Sequence, residues 1–242
     1  MSKNVLITGA SGAIGSAAAM EFAKEGFNLF LVCNSRINEL DEFADKLSGS
    51  YDIEVFTASI DFADTTRARD RLEDFLGQTT IDILVNNAGI SYVGLFQDMK
   101  PSTWNNIVNI NLNSVYATSS VVIPGMIKKQ SGKIINISSV WGNVGASCEV
   151  AYSATKGGIN SFTKALAKEL AISGISVNAL SPGLVDTPMN SHLSDEEMNE
   201  LFDQIPIGRA ATPIEIARCI VKLSEMPSYV TGQILTADGG WT

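Results

Sequence analysis

Side chains that bind metals or form cross-links are scarce. The chain has one histidine, His192, and three scattered cysteines, Cys33, Cys148 and Cys219, with no CxxC spacing. Neither a zinc site nor a disulfide framework is expected from that pattern. Long apolar runs are also missing: none approaches the ~18 residues that a membrane span requires. The opening MSKNVLITGAS reaches glycines before the hydrophobic stretch of a signal peptide could form. A cytoplasmic location follows as an expectation. Basic residues are few, 17 Lys and Arg against 26 Asp and Glu, giving net charge −9 and a pI near 4.6. That balance disfavours nucleic acid and anionic lipid as partners. Any phosphate-bearing ligand must then be held by local backbone donors.

Of the 242 residues, 45% are hydrophobic and 18% charged, enough to bury a substantial core in one domain spanning 1–242. Short β-branched runs at 4–8, 29–33, 54–58, 81–86, 133–138, 176–179 and 233–236 read as strands. Between them, 12–25, 37–47, 65–76, 102–129, 152–173 and 213–224 carry helical periodicity and are long enough for right-handed crossovers. Alternation of this kind predicts an α/β fold: a doubly wound, Rossmann-type domain with a seven-stranded parallel sheet and helices on both faces. The irregular stretch 183–212 holds a capping box, Ser194 with Glu197, that opens a short helix. It lies beyond the C-terminal edge of a strand, where open α/β sheets bind ligands, so residues 184–212 are expected to form a substrate lid.

The first strand runs directly into Gly9-Ala10-Ser11-Gly12-Ala13-Ile14-Gly15, which opens a helix of small residues. Gly9 permits a tight turn, small side chains admit a pyrophosphate, and Gly15 allows the helix to pack closely on the strand. Unpaired N–H groups at the helix start attract the anion. At the end of the second strand stands Cys33-Asn34-Ser35-Arg36, without the carboxylate that would bind a ribose 2′-hydroxyl. Arg36 with Ser35 suits a 2′-phosphate, which favours NADP(H) and leaves NAD(H) open, and Asn34 beside them is a further cofactor-binding candidate. Cys33 reads as a small buried hydrophobe.

Tyr152-Ser-Ala-Thr-Lys156 opens a helix, and its spacing of four sets phenol and ammonium on one face. A phenol with an ordinary pKa near 10 is a poor base at neutral pH, and a nearby ammonium is expected to lower it. Together with TGASGAIG at 8–15, Asp61-Phe62, NNAG at 86–89, Asn111 in NINLNS, Ser139 in INISS, SPGLVDTPM at 181–189 and DGG at 238–240, this segment resembles the short-chain dehydrogenase/reductase family in its compact branch. The resemblance runs from end to end. It implies a catalytic tetrad of Asn111, Ser139, Tyr152 and Lys156. In it Ser139 bonds the substrate oxygen and Tyr152 transfers the proton. Lys156 lowers the tyrosine pKa and holds the nicotinamide ribose, and Asn111 anchors a water relay. It further implies Asp61 and Phe62 beside adenine, Asn87, Ala88 and Gly89 along the adenosine ribose, Pro182, Gly183 and Val185 around the nicotinamide, and Thr187 near the carboxamide. No metal is implied.

Two features depart from the compact pattern. Ala13 stands where the middle glycine of TGxxxGxG is usual, giving TGxxGxxG, the spacing of the larger extended branch that includes sugar-nucleotide epimerases; a length of 242 residues makes the compact branch the expectation. Within the compact branch, the lid segment, IPIGR at 205–209 and GQILTADGG resemble bacterial 3-oxoacyl-(acyl-carrier-protein) reductases. A reductase that docks an acidic carrier should present cations around its cleft, and Lys128, Lys129 and Lys133 are available. Gln130 and Ser173, however, fall where such reductases tend to present arginine. Sugars, polyols, steroids and other small ketones remain alternative substrates, and an inert dinucleotide sensor is a rival of another class. Trp141 and Val144 are expected to line an apolar substrate pocket, while His192 receives no role. The apolar faces of 102–129 and 152–173 exceed what sheet coverage needs and are expected to pair with symmetry mates, and the resemblance implies a homotetramer.

Overall fold

In the computed structural model, which describes residues 3–191 and 193–242, seven strands form one parallel sheet. They are β1 (Asn4–Thr8), β2 (Asn28–Cys33), β3 (Val55–Ser59), β4 (Ile83–Asn86), β5 (Gly132–Ile137), β6 (Ile175–Pro182) and β7 (Ile234–Ala237). Their order is β3-β2-β1-β4-β5-β6-β7. Every expected strand is present within a few residues; β6 runs three residues beyond the expected end. Among the described residues, no helix is long and apolar enough to cross a membrane.

Strand alternation explains why both faces need cover. Val5 and Ile7 of β1, with Leu29, Leu31 and Cys33 of β2, enter one buried cluster, whereas Leu6, Phe30 and Val32 enter the other. The first cluster is closed by helices α1 (Ala13–Lys24), α2 (Ile37–Ser50) and, later in the chain, Pro213–Glu225. The second is closed by α3 (Thr65–Leu76) and by residues of the segments Ser114–Lys129 and Val150–Leu170. Continuously apolar strands buried on both sides are what a covered parallel sheet requires. Cys33 is 2% exposed, as expected of a core position.

The segment 102–129 is not the single helix that its periodicity suggests. It is α4 (Pro101–Val108), a π-helical turn at Asn109–Asn113, and α5 (Ser114–Lys129). A π turn adds one residue to the helical repeat and re-aims the side chains within it. Asn111 occupies that turn. Helix α6 (Trp141–Val144) is too short to show a period, and α7 (Val150–Leu170) follows it. Helix α8 (Asp195–Gln204) has the expected capping box: Glu197 N–H donates to Ser194 Oγ at 3.2 Å and Ser194 N–H to Glu197 Oε2 at 2.8 Å. Helix α9 (Pro213–Glu225) completes the chain's helices before β7.

The strand order reverses between β1 and β4, the first strand having neighbours that leave it in opposite directions. That crevice, at the C-terminal ends of the strands, is where ligands bind in open α/β sheets. Residues 9–15, 87–89, 139–141 and 183–187 all follow strand C-termini and so meet at this one edge.

Candidate active site

At the β1 end, Gly9 adopts φ +64°, a conformation that side chains disfavour. A Cβ at Gly15 would lie 2.3 Å from Gly9 O and 2.9 Å from Ala10 Cα, so only glycine lets α1 approach the turn this closely. Gly12, the residue preceding α1, makes no side-chain cap, and no acidic residue occupies the helix's first turn. The α1 N-terminus therefore presents backbone donors without a competing carboxylate. A pyrophosphate fits that cradle. Ser11, Ala13 and Ile14 surround it in sequence, and Ala13 is partly exposed there.

The turn is braced from β4. Asn87 Nδ2 donates to Thr8 O at 3.1 Å and Gly9 O at 3.2 Å, while the N–H groups of Asn87 and Ala88 both donate to Thr8 Oγ1 at 3.0 Å. Asn87 thus shapes the cradle through its side chain. Thr8, 1% exposed, is a bracing residue of the turn that the sequence alone did not single out. Its signal was a hydroxyl at the end of an otherwise apolar strand.

At the β2 end, Arg36 is half-exposed and its guanidinium is 3.8 Å from Glu39. The Asp41 carboxylate, farther along in α2, accepts a hydrogen bond from Thr57 Oγ1, and at the β2 tip the Asn34 backbone carbonyl accepts one from Ser59 Oγ. Asp61 is exposed and turns back on Ala63 N–H at 2.9 Å. Phe62, only 5% exposed, belongs to the core cluster with Leu72 and Leu84, so its ring packs inward and its backbone alone remains for a ligand. Val185, at 6% exposed, is likewise a core side chain. Thr187 precedes a short 3-10 turn, and Pro182 and Gly183 close the end of β6.

Across the cleft, β5 delivers Ser139 and α7 delivers Tyr152 and Lys156. A Cβ at Gly142 would sit 2.7 Å from the Lys156 carbonyl carbon, so this glycine lets α6 rest directly on α7 and fixes the serine loop against the lysine. Ser139 is 7% exposed, and its Oγ accepts from Trp141 N–H at 3.2 Å. Lys156, 3% exposed, donates to Ile137 O at 2.7 Å and lies 5.5 Å from the centre of the Tyr152 ring. Asn111 is fully buried in the π turn. Its Oδ1 accepts from Ile90 N–H at 2.8 Å, and its Nδ2 donates to Ile90 O at 2.9 Å and Thr155 Oγ1 at 3.2 Å. Gly89 leaves a space between the two polar ends: a Cβ there would be 3.5 Å from Lys156 Nζ and 3.6 Å from Asn111 Oδ1. The four residues of the implied tetrad thus gather around one cleft. Behind them, Asn86 Nδ2 donates to Asn136 Oδ1 at 2.8 Å, Asn136 Nδ2 to Thr163 Oγ1 at 2.8 Å, and Thr118 Oγ1 to Asn86 Oδ1 at 2.6 Å. This buried polar ladder ties β4 and β5 to α5 and α7.

The electrostatics correct one expectation. Burial pushes the Tyr152 phenol up to about 12; a hydrogen bond from Ser139 pulls it down, and the negative charge of Glu149 pushes it up. Burial also lowers Lys156 to about 8. Desolvation disfavours the charged form of each group. Lys156 does not by itself depress the phenol. A neutral phenol is the proton-donating form.

A second correction concerns charge around the cleft. Lys133 is the second residue of β5, at the N-terminal edge of the sheet, and binds Met226 O at 2.7 Å; Lys129 pairs with Asp82. Within one chain, Lys128, Lys129 and Lys133 thus stand at the opposite edge from Ser139.

A glycine turn at the sheet's switch point, facing a buried serine and lysine and a partly buried tyrosine, is the architecture of a dinucleotide-dependent oxidoreductase. A family model described as short chain dehydrogenase matches residues 3–198. The uncharacterized oxidoreductase YmfI of Bacillus subtilis is 45% identical over 244 residues, covering 100% of this chain and 99% of its own. The 3-oxoacyl-[acyl-carrier-protein] reductases FabG of Chlamydia trachomatis and Thermotoga maritima are 39% and 38% identical over 99% and 98% of this chain and 97% of each of theirs. Crystal structures of a 3-oxoacyl-[acyl-carrier protein] reductase from Brucella melitensis, one with bound NAD, align with TM-scores of 0.91 and 0.90. Each is 31% identical and covers 99% of this chain and 91% of its own. The chain belongs to the short-chain dehydrogenase family, and is an oxidoreductase acting on the CH–OH/C=O pair with a nicotinamide dinucleotide.

Proposed function

We propose that this protein is a ketoreductase in which Asn111, Ser139, Tyr152 and Lys156 carry the chemistry, with 3-oxoacyl thioesters of an acyl carrier protein as substrates. The observation that carries the reading is the convergence of Ser139, Tyr152 and Lys156 on one cleft beside the phosphate cradle, Lys156 Nζ being 5.5 Å from the tyrosine ring centre. When bound, the nicotinamide supplies the hydride. Ser139 donates a hydrogen bond to the carbonyl oxygen and stabilises the charge that develops there. Tyr152, held neutral by burial, gives its hydroxyl proton to that oxygen, which favours the reductive direction. Lys156 holds the ribose hydroxyls and replaces the proton, and Asn111 keeps the relay open beside Gly89.

The cofactor residues in this reading are Gly9, Ser11, Gly12, Ala13, Ile14, Gly15, Asn34, Ser35, Arg36, Asp61, Phe62, Asn87, Ala88, Gly89, Pro182, Gly183, Val185 and Thr187, the buried Phe62 and Val185 acting through backbone. NADP(H) is preferred, because Arg36 stands by the β2 tip and its ion-pair partner among the described residues, Glu39, is 3.8 Å away. Residues 184–212 act as the lid of this single domain. Its ends are fastened by Ala211 N–H to Leu184 O and Asp186 N–H to Ala211 O, each 2.9 Å. The carrier-protein substrate rests on the names of the FabG relatives. Exposed Tyr116 and Ile127 on α5 support assembly into a homotetramer, in which a neighbouring subunit's lysine-bearing edge is the source of cations for a carrier.

The test is turnover of acetoacetyl thioester and a panel of sugars, polyols, steroids and simple ketones with NADPH and NADH. Reduction of the thioester with NADPH above all others is the expected result. Preference for a sugar or a steroid would replace the substrate assignment, and cofactor binding without any turnover would favour the sensor.

A further inference from the structure

Two aromatic rings beside the reactive serine come from distant parts of the chain. Trp141 opens α6 and donates its N–H to Ser139 Oγ at 3.2 Å, so its position is fixed to that of the serine. The Trp241 ring meets it edge to face, with 4.9 Å between centres and 63° between planes. Neither ring is fully buried, and Val144, one helical turn after Trp141, is 62% exposed. Large apolar groups left partly open beside a reacting centre have area available for an apolar ligand.

Trp241 is held in place by the fold. The Asp238 carboxylate accepts from Gly240 N–H at 3.0 Å, Thr242 N–H at 2.8 Å and Thr242 Oγ1 at 3.1 Å, winding 238–242 into a compact turn. Gly239 O accepts from Ile207 N–H at 3.2 Å, and a Cβ at Gly239 would be 2.5 Å from Ile207 Cγ2. Gly240 packs on Pro206. The turn therefore joins residues 205–207, near the end of the 184–212 segment, to the Ser139 loop, and Trp241 is the side chain that makes the join.

We propose that Trp141 and Trp241 form an aromatic wall of the substrate cleft, and that Trp241 sets specificity by packing against the apolar chain on the substrate's carbonyl carbon. The inference rests on the ketoreductase reading and deepens it. An aromatic face offers apolar area to a chain of several methylenes and little to a methyl group. Selectivity for longer chains follows.

The test compares kcat/KM for acetoacetyl thioester and for a 3-oxoacyl thioester four methylenes longer, in wild type, Trp241→Ala and Trp241→Phe. The expected result is a loss in Trp241→Ala roughly ten- to hundred-fold greater for the longer substrate, mostly in KM, with Trp241→Phe close to wild type. Equal losses on both substrates, or a gain on the longer one, would overturn the wall. Tryptophan fluorescence gives a second measure in Trp104→Phe protein, where only the paired rings emit: the longer 3-hydroxyacyl thioester is expected to quench them, and the acetoacetyl-sized product to do so far less. If wild type turns over no carbonyl, the ketoreductase reading fails by itself; the absence of chain-length-dependent quenching is what defeats the wall.

Discussion

Replacing Gly15 by alanine tests whether the glycine turn is built for close approach. The new methyl would sit 2.3 Å from Gly9 O, 2.9 Å from Ala10 Cα and 2.9 Å from Asn87 Nδ2. Two of those atoms are backbone, so rotamer changes alone cannot relieve the contact; α1 must withdraw by about 1 Å to reach ordinary packing distances. Overpacking of this kind costs about 1–3 kcal/mol, which lowers the melting temperature by roughly 2–12 °C in a chain of this size. The displaced helix start also carries the donors that face the pyrophosphate, so a loss of about 1.4 kcal/mol in that interaction weakens NADPH tenfold. Thermal unfolding and fluorescence titration with NADPH measure the two effects separately. Gly49→Ala is the control, because nothing lies within 4 Å of its Cβ and it sits within α2; it should keep the cofactor affinity and gain slightly in stability. Wild-type affinity together with wild-type melting in Gly15→Ala would refute the account of the turn.

Three further substitutions probe the rest of the cleft. Asn111→Ala leaves both polar groups of Ile90 without their side-chain partner, which should cost about 2–4 kcal/mol in denaturant unfolding; a change below about 0.5 kcal/mol would show that the π turn is held by other contacts. Glu149→Gln removes a negative charge that raises the Tyr152 phenol, so the limb of alcohol oxidation that rises with pH should move to lower pH. A pH profile of kcat/KM that stays in place contradicts that cause. Arg36→Ala should lower kcat/KM for NADPH by roughly tenfold or more while sparing NADH, and an equal effect on both would remove the 2′-phosphate role.

Much of this architecture can be read from local chemistry. The strands announce themselves because each buried run is short, β-branched and bounded by turns, and the two faces of β1 alternate between the two cores. Gly9 and Gly15 are legible for a similar reason, since their role depends on lacking a side chain. The π turn is not, because one extra residue within a helix leaves the apolar pattern nearly intact. Helix α6 is shorter than the repeat that would reveal it. Lys128 and Lys133 are near one another in sequence, but only the sheet topology shows which edge they occupy. The Tyr152 phenol could not be judged from its spacing to Lys156 alone, since burial, a property of the packed structure, raises the phenol and lowers the ammonium. The contact of Trp141 with Trp241 joins residues a hundred positions apart and has no local signature.

The central claim is that the Tyr152 hydroxyl passes the proton. Its most direct measurement is carbonyl reduction by wild type and Tyr152→Phe under saturating NADPH, with cofactor affinity determined on the same samples. The variant should bind NADPH as wild type does and turn over at least about a hundredfold more slowly. Turnover within a few-fold of wild type would contradict the claim.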